Sequence, residues 1–275
     1  MSLLIAPSMS SIRHFLLAIQ FFTRIPITGK LADWVGFSPE MLRKSAAHFA
    51  GVGWVVGIVA ALVYVSFEAL LPGGYAPLIA ACLSTIATVL LTGGFHEDGL
   101  ADLADGLGGS YDRDRALEIM KDSRVGAFGA MALVLALLTK IAMLAAFGEL
   151  SGGQIFMLII ASHVISRAQP MVLLALLPHV GDAAGSKSKP LADSISPGAL
   201  LANFFWCFAL LPGVFIAQCA TEFIAGVGLA FLAWCIMWWR LRVRLQGFTG
   251  DALGATQQVC EIAFLLGCLL IVAAT

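Results

Sequence analysis

The feature that most constrains this chain is a recurrence of long apolar segments, joined alternately by very short links and by longer polar ones. Seven can be drawn, at about 46–72, 75–93, 126–149, 153–178, 199–220, 223–239 and 258–275. Each is close to the roughly 20 residues a helix needs to cross about 30 Å of hydrocarbon. Isolated segments in lipid have to be helices, because every backbone N–H and C=O needs a partner inside its own segment. No period-2 alternation with regular turns is present, which argues against a β-barrel. Composition agrees: 60% of the residues are hydrophobic and 12% charged, against roughly 25% charged in ordinary soluble domains. The expected fold is all-α, a polytopic membrane bundle of about seven spans forming a single domain, residues 1–275.

The basic residues orient that bundle. Assigned to alternate sides, the links on one side hold 14 of the 16 Lys and Arg residues, those on the other hold none, and Lys140 and Arg167 fall inside spans. Basic residues collect in cytoplasmic links. The N-terminus is therefore expected in the cytoplasm and the C-terminus outside, with function sought on the inner face. The stretch Phe15–Phe22 is eight residues long, contains Gln20 and is followed by no small-residue cleavage site. It reads as an interfacial helix with Arg13 and Arg24 among the headgroups, a first, short span being the alternative, and not as a secretory leader. A net charge of −1 without a basic patch excludes a nucleic-acid partner. The six cysteines form no CxxC pair, so neither a zinc site nor a disulfide framework is expected.

Eight of the 17 acidic residues lie between Glu97 and Asp122. Asp98, Asp102 and Asp105 are spaced i, i+4, i+7, which puts three carboxylates on one face of a helix. Bare carboxylates this close repel and resist ionising. A divalent cation relieves that, and hard oxygen ligands suit Mg²⁺. The plainer reading is a solvated acidic helix. Leu100, Ala101, Leu103 and Ala104 between the acids argue against it, as does a position immediately after a span, where charge is costly. His96 and Glu97 point off the triple face, yet either could approach a second metal or a substrate.

Further along, Gly108-Gly109 should end the acidic helix, and Tyr111 to Arg115 reads as solvated surface. Lys121 and Arg124 then stand at the start of the next span, where basic side chains and a helix N-terminus together suit a phosphate. Positive-inside anchoring accounts for the two basic residues equally well, though not for Asp122 between them. A polar island runs from Gln246 to Gln258; in it Asp251 is either a further ligand or substrate contact, or the N-cap of the last helix. Lys140, Arg167 and His163, one turn before Arg167, are intramembrane polar groups and should face a cavity or a partner.

The run Gly93-Gly94-Phe95-His96-Glu97-Asp98-Gly99-Leu100-Ala101-Asp102-Leu103-Ala104-Asp105-Gly106-Leu107-Gly108-Gly109 closely resembles the signature of the cobalamin (5′-phosphate) synthases, the adenosylcobinamide-GDP ribazoletransferases. The resemblance extends to Phe22–Pro26, Met120–Gly129 and Thr249–Ala255, so it spans nearly the whole chain in order. Glu97 departs from it, standing where many relatives carry an uncharged residue, and leaves the ligand set open. The resemblance implies a bacterial inner-membrane enzyme of late cobalamin (vitamin B12) biosynthesis, either monomeric or a homo-oligomer. It would join adenosylcobinamide-GDP to α-ribazole or α-ribazole 5′-phosphate, release GMP and require Mg²⁺.

On that basis Asp98, Asp102, Asp105 and Glu97 are the expected metal ligands. Asp98, Asp102, Asp105 and Asp122 are the candidate catalytic carboxylates. His96, Arg24, Lys121, Arg124 and Asp251 are the candidate substrate contacts. The DxxDG pattern at Asp102–Gly106 also resembles the CDP-alcohol phosphotransferases, but the Ala-Arg pair expected next is replaced by Leu107-Gly108-Gly109. A transporter using Lys140, His163 and Arg167 is the reading from another class; no internal repeat supports it. A prenyl-type transferase would need a second Asp-rich motif.

Overall fold

The computed structural model describes residues 5–181 and 195–274. Lys187 and Lys189, which the sequence assigns to the inner side, lie outside the described residues. The described residues form helices in the order α1 (Ile5–Phe22), α2 (Gly29–Val35), α3 (Pro39–Ser45), α4 (Phe49–Leu70), α5 (Ala76–Thr92), α6 (Phe95–Gly109), α7 (Arg113–Ile119), α8 (Ala127–Ala146), α9 (Gly152–Ala168), α10 (Pro170–Leu176), α11 (Pro197–Phe208), α12 (Leu211–Ile216), α13 (Ala220–Arg244) and α14 (Gly250–Val272). Six helical stretches are long and apolar enough to cross a membrane, and the bent pair α5–α6 is a seventh candidate. The polytopic all-α bundle read from hydropathy is what forms.

The last span and the fifth differ most from the expectation. The last span starts at Gly250, eight residues before 258, because the polar island is helical from that glycine onward. Its N-cap is Thr249, whose hydroxyl accepts from the Ala252 amide, and not Asp251. The fifth span is two helices, α11 and α12, with Pro212 in the first turn of α12. The N-terminal α1 is not among the helices long and apolar enough to cross; it packs on α3 and α4, as an interfacial helix would.

The bundle is organised around α9, which is enclosed on nearly every side: from Ile155 to Ala168 every residue but Phe156 is buried. Close packing there depends on glycine. A Cβ on Gly53 of α4 would lie 2.5 Å from the His163 carbonyl oxygen, and one on Gly57 would lie 2.8 Å from Ile160 Cα. Two glycines four residues apart let helix backbones approach, the means by which helices associate in lipid without a hydrophobic driving force between them.

The intramembrane charges meet polar partners at this centre. Lys140 Nζ lies 2.5 Å from Glu261 Oε1, and His163 Nδ1 lies 3.5 Å from Glu261 Oε2. Arg167 reaches His163 at 3.1 Å, as their one-turn spacing implies. Gln257 Nε2 donates to Glu261 and to the Ser166 hydroxyl. All are buried, so Lys140 and Arg167 face partners inside the protein.

Candidate functional site

The acidic helix α6 owes its placement to Gly93 and Gly94. Both have φ of +70°, the left-handed region that side chains with a Cβ rarely enter. Two such residues in succession end α5 and turn α6 through 88°. Helix α6 therefore leaves the line of the span, and its carboxylates lie across the end of the bundle. A Cβ on Gly93 would also run into the Arg24 guanidinium, with Cζ at 2.8 Å, so glycine here both makes the turn and admits Arg24. Gly109 ends α6, as expected.

The far end of α6 is tied down by α13. Arg244 Nη2 donates to the carbonyls of Leu107 and Ser110, at 3.2 and 2.6 Å, and its guanidinium stands 4.8 Å over the Tyr111 ring. In the sequence Arg244 is only one of three basic residues ending a span. Its role as a clamp on α6 depends on a contact across 134 residues.

Around α6 the acids separate into different roles. Asp98 is exposed and Asp102 half-buried. The start of α14 closes against them, so Asp251 joins from a distant part of the chain: a Cβ on Gly99 would lie 2.7 Å from the Asp251 carbonyl oxygen and 3.0 Å from its Cα. Burial, and then the neighbouring carboxylates of Asp251, Asp98 and Asp105, push the Asp102 carboxyl up to about 7.

Asp105 faces elsewhere. Its two oxygens accept from the amides of Gly126 and Gly129, at 2.7 and 2.8 Å, so it caps the N-terminus of α8. The backbone amides that the sequence offers to a phosphate are thus already bonded to a carboxylate of the chain itself. Glu97 turns into the bundle, where Gln258 Nε2 donates to it at 3.1 Å. It borders the smaller of the two cavities described below together with Asp98. His96 is buried and stacked on Phe49 with ring centroids 5.7 Å apart; it is not presented to a substrate.

Two cavities flank these acids. One, of about 820 Å³, is bordered by Asp105, Lys121, Asp122 and Arg124. Arg124 pairs there with Asp122 at 2.6 Å and holds its carboxyl down to about 2. The other, of about 580 Å³, is bordered by Arg24, Thr92, Gly94 and Asp98. Each cavity thus combines a carboxylate of α6 with basic groups, Lys121 and Arg124 in the larger and Arg24 in the smaller, the pairing that a phosphate-bearing molecule and a divalent cation require together.

Among the described residues no three His, Cys, Asp or Glu side chains converge at coordination distance. The donor set still suits a hard cation. Asp98, Asp102 and Asp251 supply only carboxylate oxygens, and Asp102 is pushed up by burial first and then by neighbouring negative charges, which such a cation would offset.

Comparison with known proteins bears on this site. The cobalamin-5-phosphate synthase family model matches residues 14–269. A protein of Polaromonas sp. (strain JS666) named adenosylcobinamide-GDP ribazoletransferase is 59% identical, with 95% of this chain and 98% of that protein covered. Proteins of the same name from Leptothrix cholodnii and Vibrio parahaemolyticus are 44% and 38% identical; the coverage is 93% and 90% of this chain, and 94% and 88% of those proteins. No solved structure matches. A match over nearly the whole length, with relatives of one name at up to 59% identity, places the chain in the cobalamin-5-phosphate synthase family.

Proposed function

We propose that this chain is an adenosylcobinamide-GDP ribazoletransferase of the bacterial inner membrane, with its N-terminus and α6 on the cytoplasmic side. In this reaction a ribose hydroxyl of α-ribazole, or of its 5′-phosphate, attacks the donor phosphorus that carries the corrinoid. The P–O bond to GMP breaks, and GMP leaves. The hydroxyl proton needs an acceptor, and the leaving phosphate needs its charge offset.

The observation that carries this reading is the half-buried Asp102 on α6, close to Asp251 and between Asp98, which borders the smaller cavity with Arg24, and Asp105, which borders the larger one with Lys121 and Arg124. A base working near neutral pH needs a matched pKa, and Asp102 at about 7 has one. Asp122, held at about 2 by Arg124, does not. Asp98 and Asp251 would hold Mg²⁺ together with substrate phosphate oxygens, since this ion usually takes one or two carboxylates beside phosphates. Bound there, Mg²⁺ supplies charge neutralisation at the transferring and leaving phosphates. Asp105 keeps α8 docked on α6. Lys121 and Arg124 steady the donor's phosphates in the larger cavity, and Arg24 meets the second substrate in the smaller one.

The test is direct. Purified protein in detergent is given adenosylcobinamide-GDP, α-ribazole 5′-phosphate or α-ribazole, and Mg²⁺, and GMP and the joined corrinoid are followed by mass spectrometry. Stoichiometric release of the two supports the reading. A folded, lipid-supplemented sample that forms neither would overturn it.

A further inference from the structure

The turn between α5 and α6 does more than re-aim the acids. Phe95 is the first residue of α6, directly after Gly93 and Gly94, and is 40% exposed. Its ring is wedged among three others. Phe21, Phe22 and His96 have ring centroids 6.2, 6.2 and 5.6 Å away and planes inclined by 76°, 71° and 88°. Edge-to-face contact of this kind is a favoured arrangement of aromatic pairs. Phe22 and His96 are themselves buried, and both pack on Phe49, with ring centroids 4.3 and 5.7 Å apart. A ring held by a buried aromatic cluster and still partly open is a prebuilt flat surface, which needs no ordering when a ligand meets it.

Phe95 borders the smaller cavity, whose volume of about 580 Å³ lies within the range of about 300–1,000 Å³ usual for small-molecule sites. Phe21 of α1 and Leu133 of α8 join Phe95 in its apolar lining, and Arg24, Glu97 and Asp98 supply its charges. The Arg24 guanidinium is seated on Gly93, two residues before Phe95. An aromatic platform beside a guanidinium suits a nucleoside or nucleotide, the base stacked on the ring and the sugar or its phosphate toward the cation.

Both substrates of the proposed reaction carry a flat base. Guanine presents an N–H and an NH₂ along one edge, which call for a strong acceptor such as a carboxylate. Here Glu97 accepts from Gln258 with one oxygen and has the other buried, and Asp98 is the metal ligand of that reaction. Against Phe21 and Leu133 the polar edge of guanine would lose water without replacement. The base of α-ribazole is a benzimidazole, whose outer edge is hydrocarbon and loses nothing there.

Resting on the reaction proposed above, we propose that Phe95 sets the specificity for the acceptor: its ring stacks on the benzimidazole of α-ribazole or its 5′-phosphate. Phe21 and Leu133 close on the hydrocarbon edge of that base, and the ribose end lies toward Arg24 and Asp98. Selection then follows ring area, because two fused rings cover Phe95 more fully than one.

The experiment compares α-ribazole 5′-phosphate with an analogue whose base is a single imidazole ring. Dissociation constants come from equilibrium dialysis against the full-length protein in lipid-supplemented detergent, and KM and kcat from GMP release. The wild type should bind the two-ring acceptor about tenfold more tightly, within the effect of one base–aromatic stack. Phe95→Leu keeps apolar volume but no flat face. It should weaken the two-ring acceptor about ten- to hundredfold and remove most of the preference, with kcat and the donor KM little moved. Phe95→Tyr returns a ring and should recover most of the lost affinity. Unchanged acceptor binding in folded Phe95→Leu overturns the proposal, as does a loss that falls on the donor KM, which would put guanine on the ring. Should Phe95→Leu not fold, the wild type decides, since equal affinity for the two acceptors is equally fatal. Acceptor binding that depends on Phe95 without any GMP release would support the platform and overturn the reaction instead.

Discussion

The carbonyl oxygen of Asp251 lies 2.7 Å from the place a Cβ on Gly99 would occupy. Gly99 is thus where the first turn of α14 meets the backbone of α6, and its missing side chain sets how near Asp251 comes to Asp98 and Asp102. The contact is with backbone, which cannot swing aside as a flexible side-chain end can.

Gly99→Ala should therefore push the first turn of α14 away while leaving the acids in place. A displacement near 1 Å can cost on the order of 100-fold in rate, so kcat/KM for GMP release should fall by about that factor. Overpacking costs about 1–3 kcal/mol, so the melting point should drop only modestly. Wild-type turnover in a folded Gly99→Ala would show that Asp251 takes no part.

The two acids on the open face of α6 should separate by their effects on Mg²⁺. Asp98→Asn should raise the Mg²⁺ concentration needed for half-maximal rate by tenfold or more, because a ligand is lost. Asp102→Asn should lower kcat by about 10² to 10⁴, the usual contribution of a positioned base, with the Mg²⁺ requirement little moved. Titration of the two variants with Mg²⁺ under saturating substrates checks this. A large rise in the Mg²⁺ requirement for Asp102→Asn would reassign it as a ligand.

Much of this site was legible in the sequence, and what was not is long-range. The i, i+4, i+7 spacing of Asp98, Asp102 and Asp105 gives one helical face, and helix geometry alone predicts it. The spacing cannot say that Asp105 reaches the Gly126 and Gly129 amides, because that depends on where α8 begins in space. Nor does it show the 88° turn: Gly93 and Gly94 signal a break but not its angle. Gln257 and Gln258 make residues 246–258 look like a loop. In the fold they lie on a buried helix because Glu97, Ser166 and Glu261 bond them. The spans were easier, since membrane length and hydropathy are local properties.

Rate should depend on pH with the sign of a base that must be ionised. Asp102 at about 7 is protonated, and unable to accept a proton, below that pH. With Mg²⁺ limiting, kcat/KM should fall about tenfold per unit below roughly pH 7. Raising Mg²⁺ offsets the repulsion from neighbouring carboxylates, so this acid limb should move to lower pH, while the part due to burial, the largest single cause, remains. Profiles between about pH 5.5 and 8.5 at low and high Mg²⁺ test this. A limb that stays fixed at every Mg²⁺ concentration would separate Asp102 from the metal site.

Glu97 should prove dispensable for the metal. Its side chain is buried and bonded by Gln258, so Glu97→Gln keeps the accepting oxygen and removes only the charge. The Mg²⁺ requirement and kcat should both stay within about threefold of wild type, because the cost of weakening this hydrogen bond falls on the fold and not on the metal. A tenfold rise in the Mg²⁺ requirement would restore Glu97 as a ligand.

The buried pair Lys140–Glu261 should matter for stability and only indirectly for rate. Removing one partner of a buried ion pair typically costs about 3–5 kcal/mol, because the other charge is left without compensation, whereas replacing both is far milder. Lys140→Met should therefore lower the melting temperature in detergent sharply. Glu261→Gln added to it should restore a good part of the loss, since the new amide still accepts from Gln257. His163 and Arg167 also face Glu261, so recovery should be incomplete: the double variant leaves Arg167 bonded to His163 but without its carboxylate. A transport path through these residues would predict the reverse pattern, a bundle that tolerates Lys140→Met and loses a measurable flux. A melting point unchanged by Lys140→Met would mean that Glu261 is held by the other two alone.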